Sequence, residues 1–145
     1  MKSDIDIQDD VFQYLRDNED FWSDMSECGL TASSLICDGR KEDAEQIVVT
    51  VLANAGTELQ EAFVNVNVFI KDIRKVTKTK QAGEVIEYLT DRKKLRSICQ
   101  VTAKHLEAVW GDTYRFTLDS QRVLEDAGTH MHFVNNKLLY NQINL

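Results

Sequence analysis

The chain has 145 residues, 43% hydrophobic and 28% charged, with a net charge of −7, the size and make-up of one domain around a single core. No apolar run approaches the roughly 20 residues of a transmembrane helix, and the acidic opening MKSDIDIQDD lacks the apolar segment of a secretory signal. Cys28, Cys37 and Cys99 are widely spaced with no CxxC pair, which reads as reduced thiols of a cytosolic protein and not as a disulfide framework.

The acidity is confined to one end. Residues 1–27 hold nine carboxylates against Lys2 and Arg16, which accounts for the whole net charge. Residues 71–80 instead carry Lys71, Arg74, Lys75, Lys78 and Lys80 against Asp72 alone. Such a distribution reads either as two solvated surfaces or as a head-to-tail contact between copies. Proline is absent, against about seven at average usage, so strands and helices can run long and unbroken.

In chain order, Ile7, Val11, Tyr14 and Leu15 fall at helical spacing, with Asp4 or Asp6 able to cap the first turn. Phe21, Trp22 and Met25 follow as an apolar cluster in an irregular connection, and Leu35-Ile36-Cys37 as a short strand ending at Asp38-Gly39. The β-branched run from Ile47 to Leu52 has the composition of a central strand covered on both faces. Asn54-Ala55-Gly56-Thr57 supplies a turn. The returning strand is EAFVNVNVFIKDI, residues 61–73. There Val64, Val66, Val68 and Ile70 alternate with Phe63, Asn65, Asn67, Phe69 and Lys71, the pattern of one dry face and one wet one. Asparagine is depleted in strands, so the second face asks for an explanation.

Residues 74–84, RKVTKTKQAGE, read as an exposed arm bearing Arg74, Lys75, Lys78 and Lys80. A second helix follows, with Leu95, Ile98, Cys99, Thr102, Leu106 and Val109 on one stripe, Thr90 as its cap and Gly111 as its stop. TYRFTLDSQRVLE and HMHFVNNKLLYNQI are strands flanking the turn Asp126-Ala127-Gly128-Thr129. The expected fold is one α+β domain over residues 1–145, in the order α-β-β-β-α-β-β, with a mostly antiparallel sheet covered on one face by two helices. Asn65 and Asn67 lie on the other, uncovered face.

Chemical signatures are sparse. The six glycines are scattered and build no phosphate loop. His130 and His132, beside Asp126 or Glu125, are the one pair with metal-ligand spacing. Two histidines fall short of the three protein ligands of a catalytic zinc, and they read as surface residues beside a turn, with no metal and no cofactor. Arg115, Arg122 and Lys137 with interleaved Tyr114 and Phe116 form a basic stretch, but the acidic chain and the absence of an RNA-recognition signature argue against specific nucleic-acid binding. Two function classes remain: a self-assembling structural protein, and a small α+β enzyme or ligand-binding module with a pocket between helix and sheet. The missing catalytic signatures favour the first.

Three stretches, DIQDDVFQYL, IVVTVLANAGTELQEAFVNVNVFI and HFVNNKLLYNQINL, together with the element order, resemble the tail-terminator or tail-completion proteins of long-tailed phages and prophages. The resemblance implies a structural virion protein, not an enzyme, with no catalytic residues and no cofactor, made in the bacterial host cytoplasm and ending in the virion tail. Such a subunit closes the tail tube as a ring, commonly a hexamer, and joins it to the head. Its partners are then its own copies, tail-tube and head-completion proteins; DNA only passes through the lumen, and no membrane is involved. Under this resemblance Phe63, Asn65, Asn67 and Phe69 form a self-assembly interface or line a wet channel. The arm at 74–84 exceeds a minimal tail terminator and would order against a partner.

Overall fold

A computed structural model describes residues 2–55 and 60–143. The chain opens with α1 (Asp4–Arg16) and α2 (Glu19–Ser26), passes through a 3₁₀ turn at Ala32–Ser34, and enters β1 (Leu35–Ile36) and β2 (Gln46–Ala55). Next come β3 (Glu61–Lys71), β4 (Ile73–Thr79) and β5 (Gly83–Leu89). After α3 (Arg92–Leu106) the chain closes with β6 (Ala108–Trp110), β7 (Tyr114–Asp126) and β8 (Met131–Gln142).

Polar caps set the helix starts. Ser3 Oγ accepts from the Asp6 backbone N–H at 3.2 Å while the Asp6 carboxylate accepts from the Ser3 N–H at 3.0 Å, so Ser3, and neither Asp4 nor Asp6, caps α1. Phe21, Trp22 and Met25 are helical and not irregular. Asn18 Oδ1 accepts from the Phe21 N–H at 3.0 Å, and Glu19 and Asp20 occupy the positive end of the dipole. In α3 the cap is Asp91, one residue past Thr90, whose Oδ1 accepts from the Lys94 N–H at 3.2 Å. Val109 lies beyond α3, in β6. Gly111 does not stop a helix; a Cβ there would sit 2.5 Å from the Tyr114 ring.

Six strands form one sheet in the order β1-β2-β3-β8-β7-β6, parallel only at β1–β2. Register shifts between Val51 and Ala53 and between Leu118 and Ser120 are bulges, which bend strands and increase twist. The sheet curls into a half-barrel, and 47% of the protein is strand. This corrects the α+β expectation. Among the described residues the protein is mostly β with three helices, runs α-α-β-β-β-β-β-α-β-β-β, and is not a sheet covered on one face by two helices. Three departures account for the difference: α2 stands where an irregular connection is expected, β4 and β5 where a loop is, and β6 where the end of the second helix is. Val64, Val66, Val68 and Ile70 of β3, and Val134, Leu138 and Tyr140 of β8, share one core with Ile7, Val11 and Leu15 of α1 and Ile98 and Leu106 of α3.

β2 departs from the expected two-sided strand. Ile47 and Val49 are buried, whereas Thr50 is exposed and Leu52 is 56% exposed. Past the bulge the strand leaves the core. Asn54 and Ala55 belong to β2 itself, and the rest of the expected turn, Gly56-Thr57, lies outside the described residues. Residues 74–84 are likewise no loop. β4 and β5 pair antiparallel from Ile73↔Leu89 to Thr79↔Gly83, and the hairpin continues five residues past the sequence boundary. The β-formers Val76, Thr77, Val85 and Ile86 drive this pairing, though the charges between them hide the alternation.

Candidate functional site

The half-barrel's second face, opposite the core, gathers the sequence-predicted interface residues. β3 pairs with β8 so that Phe63 faces Leu139, Asn65 faces Lys137, Asn67 faces Asn135 and Phe69 faces Phe133. Directly opposed strand residues share a face. Asn135 Nδ2 donates to Asn65 Oδ1 at 3.1 Å and to Asn67 Oδ1 at 2.7 Å. The asparagines thus form a bridge across two strands. This local hydrogen bonding accounts for a residue type that strands otherwise disfavour.

Aromatic and cationic side chains flank the bridge. Phe69 and Phe133 stack with ring centroids 4.9 Å apart, and the Arg40 guanidinium covers Phe69 at 3.7 Å, leaving Phe69 only 5% exposed. At the other end Lys137 Nζ lies 4.2 Å from the Phe63 ring centroid. Phe63, Asn65 and Asn67 are half-buried, but Phe69 is beneath Arg40. Arg40 also bonds the Asp126 carboxylate, which, with Thr129 bonding it too, is held below its ordinary range.

Arg115, Arg122 and Lys137 share this face, because Arg122 opposes Asn135 and Arg115 opposes Asn141. The aromatics interleaved with them do not. Phe116 is fully buried in the core and Tyr114 packs against it. The aromatic partners of the cations come from elsewhere: Arg115 lies 5.3 Å from Trp110.

His130 and His132 are parted. The His130 ring stacks on Tyr88 at 3.6 Å, whereas His132 Nδ1 is 2.6 Å from Asp72 Oδ1. Asp126 is engaged by Arg40. Glu125 opposes His132 across the β7–β8 pair, but His130 and Asp126 are engaged elsewhere, and no group of three His, Cys, Asp or Glu able to hold a metal occurs among the described residues. Instead the two histidines anchor the hairpin's root, helped by the Asp72 N–H donating to the His130 carbonyl at 2.9 Å.

Every residue of β4 and β5 is exposed. Arg74, Lys75, Lys78 and the adjoining Lys80 are joined there by Ile73, Val76, Val85, Ile86, Tyr88 and Leu89, each at least 36% exposed. Among the described residues, no strand pairs with the outer edges of either β4 or β5. A two-stranded ribbon alone is marginal in water, and open edges invite further strands. The arm's charge is plain in the sequence, whereas its apolar residues, scattered among the charges, are not. The signal was Val76-Thr77 with Val85-Ile86, because the hairpin places Val76 opposite Ile86 and Thr77 opposite Val85.

A cleft of about 650 Å³ runs between α1 and the β6–β7 turn, lined among others by Asp10, Tyr14, Asp17, Asp112 and Tyr114. Burial raises the Tyr14 and Tyr114 phenols above their usual range, so both stay protonated and uncharged. Burial also raises the thiols of Cys28 and Cys99, which disfavours their nucleophilic thiolate form.

Compared with protein-family models, curated proteins and solved structures, the chain matches none. No helix of the described residues is long and apolar enough to cross a membrane.

Proposed function

We propose that this protein is a structural assembly subunit of the tail-terminator or tail-completion type, which closes a phage tail tube as a homo-oligomeric ring, with six subunits as the expected number, and joins it to the head. The observation that carries this reading is the hairpin. Its strand residues are all exposed, yet it presents six large apolar side chains beside four cations. An apolar, open-edged ribbon of this kind is a surface for protein contact. The face bearing Phe63, Asn65 and Asn67 adds a polar surface with aromatic rims, suited to a neighbouring subunit or a wet channel. On this reading the partners are copies of the chain, tail-tube and head-completion proteins, with DNA only crossing the lumen. The protein acts in the host cytoplasm during assembly and then in the virion tail.

The competing reading, a ligand-binding module, would use the acidic cleft at Asp10, Tyr14 and Tyr114. Sedimentation velocity over rising protein concentration, with negative-stain electron microscopy, tests the proposal. The expected result is a discrete closed oligomer with a central channel. A monomer at every concentration would overturn it and turn attention to the cleft.

A further inference from the structure

A groove of about 430 Å³ lies between α1 and the outer side of β2, lined among others by Ile5, Gln8, Asp38, Arg40 and Val48. Three observations at this place match the hairpin. First, β1 pairs β2 only at Ile47 and Val48. Gln8 Nε2 then donates to the Val49 carbonyl at 2.7 Å, and beyond it no strand among the described residues pairs with the outer edge of Thr50–Ala55. Second, Ile5 is 68% and Leu52 56% exposed, large apolar side chains beside that open edge. Third, the groove's surroundings are acidic. Asp4 and Asp38 line it together with Arg40, whose charge is already paired with Asp126, and Asp9, four residues past Ile5 on α1 and exposed, shares Ile5's face of the helix.

We propose that the β4–β5 hairpin of one copy seats in this groove of a second copy. Its open edge pairs with the open edge of β2, its apolar residues cover Ile5 and Leu52, and its cations meet Asp9 and Asp38. The inference rests on the assembly reading above and adds the surface that receives the hairpin. Charge complementarity selects the occupant. Within the hairpin Lys75 opposes Glu87 and Lys78 opposes Glu84, whereas Arg74 opposes Tyr88 and Lys80 sits in the turn. Arg74 and Lys80 are thus the cations with no carboxylate across the ribbon. Hairpin and groove are different surfaces, so the contact is heterologous and generates a ring when its rotation closes. The groove is also continuous with the asparagine face, because Val48 opposes Asn67 and Thr50 opposes Asn65.

A charge swap tests this on the full chain. One variant carries Arg74→Glu and Lys80→Glu; the other carries Asp9→Lys and Asp38→Lys. All four positions are exposed, so circular dichroism should show both variants folded. Each variant alone should associate at least about tenfold more weakly than wild type, because each repels itself at every interface. An equimolar mixture should recover assembly, since both interfaces of an alternating, even-numbered ring are then complementary. Sedimentation velocity reads all three samples, and electron microscopy reads closure. Variants that assemble like wild type, or a folded mixture that stays monomeric while wild type assembles, overturn the docking and leave the ring reading standing. Rescue that yields open chains keeps the docking and overturns the ring. A wild type that never associates overturns both.

Discussion

Arg40 joins two residues far apart in sequence. Its guanidinium lies over Phe69 at 3.7 Å and reaches the carboxylate of Asp126. Arginine suits both contacts because its planar fork can stack and bond a carboxylate at once. The bond from Arg40 comes first in holding the Asp126 carboxyl below its ordinary value, and Thr129 adds to it. A carboxyl depressed in the folded state contributes stability above its unfolded value, near about 4, and that contribution disappears as pH falls through the lower folded value. Asp126→Asn should therefore be less stable than wild type at pH 7, and the difference should close as the pH drops below about 4. Urea unfolding at both pH values measures this; a gap of equal size at low pH would show that the pairing is not the cause. At this scale the sequence was partly legible. The buried set Val64, Val66, Val68 and Ile70 followed from alternation, because a half-buried strand repeats every two residues. Arg40 and Asn135 did not follow, since neither has a local pattern that announces a cross-strand partner.

At the scale of elements, α3 and the β4–β5 hairpin stand at opposite ends of the packing range. Leu95, Ile98, Thr102 and Leu106 are buried along one stripe of α3, a spacing visible in the sequence because four apolar or small residues recur at three and four steps. The hairpin buries none of its strand residues. It holds to the body at its root, through Tyr88 on His130 and Asp72 against His132. Stability should follow the same division. Leu106→Ala should cost about 2–5 kcal/mol, as a large-to-small change at a fully buried site, whereas Val76→Ala on the hairpin should stay within about 0.5 kcal/mol. Chemical denaturation of the two single variants decides it. A large loss from Val76→Ala would mean that the hairpin folds back on the body. The hairpin's strand character is hidden because charged side chains interrupt its β-formers, and α2 is hard to see in the sequence because it is only eight residues long and its start is set by the side chain of Asn18.

At the scale of the whole molecule, Lys2 ties together segments that no sequence pattern links. Its Nζ donates to Asp10 Oδ2 at 2.6 Å, Thr113 Oγ1 at 2.7 Å and the Tyr140 hydroxyl at 2.9 Å. Its backbone N–H donates to Gln60 Oε1 at 2.8 Å, and Gln60 Nε2 returns a bond to the Lys2 carbonyl at 2.8 Å. The start of α1, the approach to β3, the β6–β7 turn and β8 are thereby held at one point of the half-barrel. The sequence showed Lys2 only as a minor charge among nine carboxylates, because closure of this kind depends on which strands become neighbours. Tyr140 is fully buried and its hydroxyl donates to Asp10 at 2.5 Å; burial first, then the carboxylate, pushes its pKa far above the usual phenol range. The phenol therefore stays protonated at neutral pH, and Asp10 keeps one partner when Lys2 is removed. Lys2→Met retains much of the stem and removes the three donors. We expect a loss of about 1.5–3 kcal/mol, the range for hydrogen bonds involving a charged group, and not the larger penalty of stranding a buried carboxylate. The Lys2 and Asp10 side chains are only 16% and 25% exposed, so screening by salt should erode this difference little. Urea unfolding of wild type and Lys2→Met at low and high salt is the measurement. A loss that disappears at high salt would make Lys2 an ordinary surface charge, and the closure of the half-barrel would then rest on its apolar core alone.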